Sequence, residues 1–407
     1  MADNSILLLF CTIISDNYML FYYKIIRKEH FIMQKKIQTA VYYFPNYHVD
    51  PRNEAIHGRN WTEWELMKCA RSRFEGHVQP KVPLWGYEDE ADPKVMAKKI
   101  NAAVKYGVDA FIFDWYWYEG PYLERCLNEG FLGAENTNDM KFALMWANHD
   151  WVNFHPGTRQ TKHYPVNFPW STRRETVGFV WDYVIEHFLT KPNYWKINGL
   201  PYFSIYAVNR FITQMGGVEA TAEVIAEFRE KAKKAGLPGI HINGIWFDIL
   251  DTHPSCSACP QSDWAKKIGF SSYTSYNNIG MISSPTFPRL DYDFLADYYI
   301  DVAGKAMKTL PAPYYPVVTM GWDSSPRCVQ SETYDRGPYP WMAIMEPTPE
   351  KFGRAIEQTI GLLKDNPNIE PIFFINAWNE WTEGSYLEPD EQWKYGFLEA
   401  LKKELQK

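Results

Sequence analysis

Cysteine is scarce in this sequence, with six among 407 residues. That count excludes a small disulfide-stapled scaffold, in which cysteine is far more frequent. Cys256 and Cys259 form one CxxC pair, whereas a structural zinc site of this type needs a second pair of ligands. We interpret the segment as a loop that holds two thiols, with a metal or redox role as the alternative.

An excess of basic residues is also lacking. Lys and Arg total 42 against 49 Asp and Glu, which gives a net charge of -7. Nucleic-acid-binding proteins usually carry a basic face, and anionic membrane surfaces attract polybasic segments. The composition therefore argues against nucleic acid as a partner and against strong membrane association.

Long hydrophobic runs are missing too. The apolar run at residues 5–14 is shorter than the ~20 residues that span a bilayer. Asp3 precedes it and Asp16 follows it, unlike the flanks of a secretory signal. We interpret residues 1–36 as an atypical extension, either from a mis-called start before Met33 or from a degenerate anchor, and residues 37–407 as one domain. The default compartment is intracellular, with a periplasmic or surface location as alternatives.

Aromatic residues, by contrast, are abundant: 17 Trp, 27 Tyr and 24 Phe make up 17% of the chain. Aromatic faces stack on the flat apolar faces of sugars, bases and other rings, although a core uses them as well. Hydrophobic residues at 46% and charged residues at 22% are typical of a globular chain with a full core.

Short β-prone runs alternate with helical patterns from residue 38 onward. Eight such runs occur, at residues 39–44, 110–114, 142–146, 201–206, 240–247, 270–273, 315–320 and 372–378. The helical patterns cover residues 92–106, 174–189, 217–235, 291–309, 349–364 and 390–406. Eight βα units predict an α/β fold, a (β/α)8 TIM barrel with long strand-to-helix loops. A doubly wound sheet is the alternative, but no glycine-rich phosphate loop follows the first run.

Polar and aromatic residues follow most of these strands, where a barrel of this kind places its active site. Each could be a core residue by itself, but their coincidence at several strand ends predicts a substrate-binding rim. The candidates are Tyr47, His48, Asp114, Trp115, Trp146, Asn148, His149, Asp150, Trp151, Trp322, Asp323 and Asn379.

Two carboxylates, Glu380 and Glu383, lie three residues apart after the last strand. Gly384 permits a tight turn that can bring both acids to one side. Glycoside hydrolysis needs such a pair, one as proton donor and the other as nucleophile or base. Trp381 between them would supply a stacking platform and an apolar wall that keeps one carboxyl protonated. A helix cap or a surface acid pair is the alternative.

The sequence resembles glycoside hydrolase family 99 and, more closely, its WbsX-like relatives, which occur in polysaccharide loci and are often labelled glycosyltransferases. Nearly the whole barrel region is covered, from about residue 38 to 402. The matching segments are residues 43–48, 61–64, 76–80, 106–109, 146–151 and 379–389, of which the last is the most specific.

This resemblance implies a (β/α)8 barrel that cleaves α-mannosidic bonds with retention. Carried over, Glu380 is the base toward the sugar's own 2-hydroxyl and Glu383 is the general acid and then base. The segment 114–117 departs from true endomannosidases toward WbsX-like proteins, so the sugar does not carry over. Further substrate-binding candidates are Glu63, Trp64, Trp381 and Tyr386; a structural salt bridge is the alternative for Glu63, and a core role for His149.

Three other functions stay open. A glycosyltransferase would need a nucleotide-sugar or lipid-phosphate site, and no DxD motif lies in a Rossmann-like context. A non-catalytic sugar-binding barrel would be expected to lack one carboxylate. A metal-dependent barrel could use His149, Asp150, Glu380 and Glu383, but their spacing is not that of a metal motif. We predict a carbohydrate substrate and neither metal nor cofactor; the sugar, the linkage and the oligomeric state are not indicated.

Overall fold

The computed structural model describes residues 36–407 except 162, 171–172, 247–260, 278 and 280–284. The predictions for the N-terminal extension before residue 36 and for the Cys256 and Cys259 pair therefore lie outside the described residues. Within the ranges given, none of the helices is long and apolar enough to cross a membrane.

The core of the fold is a parallel barrel of eight strands, as the sequence predicts. In chain order they are β1 (Gln38–Tyr43), β2 (Ala110–Trp117), β3 (Lys141–Trp146), β4 (Leu200–Ile205), β5 (His241–Ile245), β6 (Ser272–Thr274), β7 (Val317–Thr319) and β8 (Ile372–Asn376). From β1 to β6 each strand pairs with the next one along the chain, β7 pairs with β8, and β8 pairs with β1.

The barrel closes between β6 and β7 through backbone hydrogen bonds of Tyr273. Its amide donates to Pro313 O at 2.8 Å, and the Tyr315 amide donates to Tyr273 O at 2.9 Å. A closed ring in sequential order excludes the doubly wound sheet and confirms the (β/α)8 barrel.

Helices surround the barrel, and five of the six predicted helical segments match closely. The helices are α1 (Pro51–His57), α2 (Trp64–Cys69), α3 (Pro93–Tyr106), α4 (Arg174–Val184), α5 (Val208–Met215), α6 (Val218–Lys234), α7 (Gln261–Ile268), α8 (Tyr292–Thr309), α9 (Pro349–Lys364) and α10 (Gly396–Leu405). Of these, α1, α2, α5 and α7 were not predicted. A π-helical turn, Ile185–Leu189, continues α4. Side-chain caps from Asp92 and Thr348, each followed by proline, fix the starts of α3 and α9.

The last helix begins six residues later than predicted, at Gly396 instead of residue 390. Asp390 accepts a hydrogen bond from the Trp393 amide through its side chain at 2.5 Å and from the Lys394 amide through its carbonyl at 2.9 Å. These bonds fold residues 390–394 into a turn, because a side chain that binds nearby amides competes with the helical ladder.

Aromatic rings fill the lower part of the barrel. Tyr42 stacks on Phe374 with ring centroids 5.5 Å apart, and Tyr202 lies 5.9 Å from the same ring. All three are fully buried. Part of the aromatic surplus in the sequence is therefore core, and the open space lies above it, at the carboxyl ends of the strands.

Candidate active site

A cavity of about 390 Å³ lies at the carboxyl ends of the strands. Among the described residues, the lining comes from β1, β2, β3, β4, β6, β7 and β8 or from the segments that follow them. The residues nearest the strand ends are Phe44, Asp114, Tyr116, Met145, Ala147, His149, Tyr206, Tyr276, Trp322, Arg327, Glu380 and Glu383.

The two acids reach the cavity through a hairpin that follows β8. Asn379–Glu380 pairs antiparallel with Ser385–Tyr386, and a 3-10 turn, Trp381–Glu383, connects them. Gly384 closes the turn with φ of 63°, a conformation that side-chain-bearing residues rarely adopt. The hairpin therefore provides the turn expected at Gly384, and both carboxylates line one cavity.

Arg327 bridges the acid pair. Its Nη1 donates to Glu383 Oε1 at 2.5 Å, and its Nη2 donates to Glu380 Oε2 at 3.2 Å and to Glu63 Oε1 at 2.8 Å. The side chain is buried. One guanidinium group thus balances three buried carboxylates that would otherwise repel one another.

Burial is the main influence on the charge of the pair. Burial raises the pKa of Glu380 well above its usual range; the charge of Glu383 raises it further and Arg327 lowers it. Burial raises the pKa of Glu383 as well, against the opposing effect of Arg327. Burial also acts on Glu63, but Arg327, His155 and Thr382 outweigh it and hold that pKa below its usual value. The arrangement favours one retained proton in the pair and an ionised Glu63.

Seven of the residues predicted from the sequence line the cavity. They are Asp114, His149, Asp150, Trp151, Trp322, Glu380 and Glu383. Asp150 is held by Arg210 Nη2 at 2.7 Å and by the Trp170 amide at 2.8 Å. His149 is half-buried, its partial desolvation lowers its pKa, and its Nδ1 lies 2.9 Å from Asp150 O.

Four predicted aromatic residues instead form a stack behind the hairpin. Trp381 lies on Tyr386 with centroids 3.8 Å apart, and Tyr47 lies 4.0 Å from Trp64. The Trp381 indole donates to Glu388 Oε2 at 2.8 Å, so its ring is not the platform between the acids that the motif suggested. None of the four is among the cavity-lining residues.

Trp115 and Trp146 point away from the cavity because adjacent residues of a strand face opposite sides. Their neighbours Asp114 and Met145 line it, whereas Trp115 donates to Glu124 and Trp146 packs against Trp181.

Five other predicted polar residues support the cavity from outside its lining. Asn148 exchanges hydrogen bonds with the Ala207 backbone, and Asn379 does the same with Phe44. Asp323 accepts from His77 and Gln79, Glu63 binds Arg327, and His48 is buried, which lowers its pKa to about 4.

Four further residues line the cavity and were not predicted from the sequence: Arg327, Tyr276, Tyr206 and Tyr339. Tyr276 lies two residues after β6, so the strand-end criterion would have selected it had it been applied to that strand. Arg327 lies within a long loop without a motif. The only available signal was the need of several buried acids for a cation.

His77, Asp323 and Glu346 place possible ligand atoms within 4.8 Å of one another. However, Asp323 already accepts hydrogen bonds from Gln79 and the Ser325 amide. Glu346 is paired with Lys81 at 2.6 Å and Arg289 at 3.1 Å. Protein donors therefore satisfy this cluster, which does not fit a resident metal ion.

Comparison with known proteins places the chain in a family. A model described as Glycosyltransferase WbsX matches residues 39–401. The chain belongs to the WbsX glycosyltransferase family. This membership confirms the resemblance predicted from the sequence, which was carried above all by the hairpin with Glu380 and Glu383.

Relatives of this WbsX family member include two proteins from Xanthomonas campestris pv. campestris strains, each named uncharacterized protein WxcX. Both are 25% identical, and the match covers 90% of this chain but 49% of theirs. The chain therefore spans about half the length of these curated relatives.

Solved structures with a similar fold include the GH99 endo-alpha-mannosidase from Bacteroides thetaiotaomicron. Its TM-score is 0.57 at 13% identity, covering 91% of this chain and 96% of that one. A glycoside hydrolase-like protein gives a TM-score of 0.59 at 12% identity, covering 91% and 94%. At such low identity these likenesses support the barrel fold.

Proposed function

We propose that this WbsX family protein is a retaining glycoside hydrolase that cleaves α-mannoside-like or related bonds in a polysaccharide or oligosaccharide. The observation that carries the proposal is the bridging of Glu380 and Glu383 by Arg327 at the wall of an aromatic-lined cavity. Two carboxyl groups held by one guanidinium lie close together. Two such groups can act on one sugar ring, one giving a proton to the glycosidic oxygen and the other taking the proton of the 2-hydroxyl.

Glu383 is suited to the role of general acid and then base. Arg327 and Tyr339 both donate to its Oε1, whereas its Oε2 has no hydrogen-bond partner among the described residues. The oxygen left free is the one that can give a proton to the glycosidic oxygen. Burial raises the pKa of this carboxyl, which favours a proton that is available near neutral pH.

Glu380 is suited to the role of base toward the sugar's 2-hydroxyl. Tyr276 donates to one of its oxygens at 3.0 Å and Arg327 to the other at 3.2 Å. Burial raises the pKa of Glu380 well above its usual value, and donors on both oxygens oppose that effect by stabilising the ionised form. Since Oε2 of Glu383 has no such donor among the described residues, we place the one proton of the pair on Glu383. Attack of the activated 2-hydroxyl on C1 is intramolecular and so gains from proximity.

The cavity walls suit a sugar ring. Trp151, Phe154, Trp322 and Tyr339 contribute flat aromatic surfaces to the lining, and such faces pack against the apolar faces of sugars. The acids thus lie beside a surface that can orient a ring above them.

A glycosyltransferase is the second candidate, because the family model carries that description. It would use the same cavity for the acceptor sugar and would need an activated donor in addition. The two functions differ in one observable property, since only the transferase consumes a nucleotide sugar or a lipid-linked sugar.

Hydrolysis of a panel of α-mannans and bacterial polysaccharides tests the proposal, with anomeric configuration followed by NMR. Wild type should give retained products, and Glu380→Gln and Glu383→Gln should each lose about 100-fold or more in kcat/KM. Glu65→Gln is the matched control, because the Glu65 side chain is partly exposed, forms an ion pair with Lys68 and is not among the cavity-lining residues.

Inverted products would contradict the retaining mechanism. Activity that survives both substitutions would remove the acids from the chemistry. Turnover of a sugar donor without cleavage of any glycan would favour the transferase.

A further inference from the structure

One tyrosine hydroxyl lies between two carboxyl groups at the wall of the cavity. Tyr276 Oη is 2.8 Å from Asp114 Oδ2 and 3.0 Å from Glu380 Oε1. A phenol has a single proton to donate. If both carboxyls were ionised, one of them would face the phenol oxygen at hydrogen-bond distance with no proton between the two atoms.

The surroundings of Asp114 disfavour its ionised form. The residue is 3% exposed, and its Oδ1 accepts no hydrogen bond from the described part of the chain. No Lys, Arg or His of that part forms an ion pair with it within 4.0 Å. A buried carboxylate with neither a cation nor a full set of donors is costly, and a neutral carboxyl avoids that cost.

Glu380 differs from Asp114 in having Arg327 on its other oxygen. The ionisable groups that act on Glu380 are Arg327, Glu63, Glu383, Asp114, Tyr47, Tyr116, Tyr206, Tyr276 and Tyr339. Those that act on Asp114 are Tyr42, Tyr116, Tyr206, Tyr276, Glu380 and Glu383. Among the described residues, the one cation in these two sets, Arg327, is on the side of Glu380.

We propose that Asp114 carries a proton in the resting enzyme and donates it to Tyr276, whose own hydroxyl donates to ionised Glu380. Arg327 decides the direction of these hydrogen bonds. The proton resides on Asp114, which has no cation beside it, and the negative charge resides on Glu380, which lies beside Arg327. Burial raises the pKa of Asp114 well above its usual value, which agrees with this assignment.

Asp114 and Tyr276 are then positioning residues for Glu380. A hydroxyl that receives a hydrogen bond donates a stronger one, so protonated Asp114 strengthens the bond from Tyr276 to Glu380 and favours the ionised base. This consequence rests on the proposed function, whereas the protonation of Asp114 does not.

The protonation state can be measured without any substrate. The infrared difference spectrum between wild type and Asp114→Asn at pH 7 should contain the C=O stretch of one protonated carboxyl, shifted in D2O. Asp335→Asn, which changes an exposed carboxylate, should show no such band. Absence of the band with Asp114→Asn would overturn the proposal, whatever the enzyme does to glycans.

Tyr276→Phe provides a second test that does not require Asp114→Asn to fold. Tyr276→Phe removes the acceptor of the Asp114 proton, so the same band should move to the position of a free carboxyl. An unchanged band in a folded Tyr276→Phe protein, checked by circular dichroism, would contradict the chain of hydrogen bonds.

The pH profile of kcat/KM gives a separate test on a glycan that the wild type cleaves. Tyr276→Phe removes a donor to ionised Glu380, so the acidic limb should move up by about one pH unit. Asp114→Asn replaces one neutral group with another. The midpoint of the acidic limb of the kcat/KM profile should therefore stay at the wild-type pH, even if kcat/KM itself falls. A shift of that limb to lower pH by about one unit would mean that a negative charge had been removed, and would overturn the proposal.

Discussion

Arg327 donates from Nη1 to Glu383 Oε1 at 2.5 Å, and this bond ties a loop after β7 to the hairpin after β8. The same side chain also binds Glu63 from the loop after β1. Three loops far apart in sequence are therefore held together by one cation. The acid pair owes its placement to this contact as much as to its own motif.

Replacing Arg327 with Met should abolish activity and destabilise the fold. Three buried carboxylates would lose their cation, and such a loss costs about 3–5 kcal/mol. The unpaired acids would gain protons more readily in the folded protein, so the destabilisation should be greater at pH 8 than at pH 5. Thermal unfolding at both pH values checks this, with Arg159→Met as an exposed control. An equal loss of stability at both pH values would contradict the electrostatic role.

Replacing Gly384 with Ala should distort the hairpin that carries both acids. A Cβ there would lie 2.6 Å from Asp323 Cβ and 2.8 Å from its backbone nitrogen, and φ is positive. Backbone strain of this kind costs about 1–3 kcal/mol before the clash is counted. We expect lower Tm and a kcat/KM reduced by more than tenfold.

Gly361→Ala is the matched control for that substitution. Gly361 lies in α9, where an added Cβ meets nothing within 4 Å. Ala in place of Gly within a helix stabilises by about 0.5–1 kcal/mol. In urea unfolding, the free energy of unfolding should therefore fall for Gly384→Ala and rise for Gly361→Ala. Equal changes in the two variants would contradict a conformational requirement for glycine at position 384.

The sequence was sufficient for the barrel because strand and helix periodicity is local. Each apolar run, such as residues 372–378, and each cap, such as Asp92 before Pro93, is visible in a short window. The acid pair was also visible, since Glu380, Glu383 and Gly384 are close in sequence.

Contacts between loops were not visible in the same way. The bonds of Arg327 to Glu63 and of Tyr276 to Asp114 join residues 264 and 162 positions apart. The prediction also did not take side-chain direction into account. Trp115 and Trp146 were predicted to bind substrate, but successive residues of a strand face opposite sides, and these two face outward while their neighbours face the cavity.

Replacing Lys99 should destabilise the fold near the hairpin, because Lys99 pairs with Glu388, two residues after the strand Ser385–Tyr386. Its Nζ lies 2.5 Å from both Glu90 and Glu388, and all three side chains are buried. Lys99→Met would leave two buried acids without a cation, at a cost of about 3–5 kcal/mol.

Lys98→Met tests the adjacent residue of the same helix. Its pair with Glu88 is partly exposed, and such pairs contribute about 0–1 kcal/mol. Chemical denaturation of the two variants should separate them clearly. A Lys99→Met protein as stable as Lys98→Met would contradict the role of the buried cluster.

Asp323 should make stability fall in acid. Its pKa is about 2 in the folded protein, because hydrogen bonds from His77, Ser325 and Gln79 outweigh the effect of burial. A carboxyl whose pKa is lowered on folding stabilises above its unfolded pKa of about 3.9, and that contribution is lost as pH falls toward 2. The contribution of ionised Asp323 to the free energy of unfolding is about 2–3 kcal/mol. Asp323→Asn should lower Tm at pH 6 and weaken its fall between pH 4 and 2, whereas Asp335→Asn, at an exposed site, should change neither. A wild-type slope that persists in Asp323→Asn would assign acid sensitivity to other carboxyls.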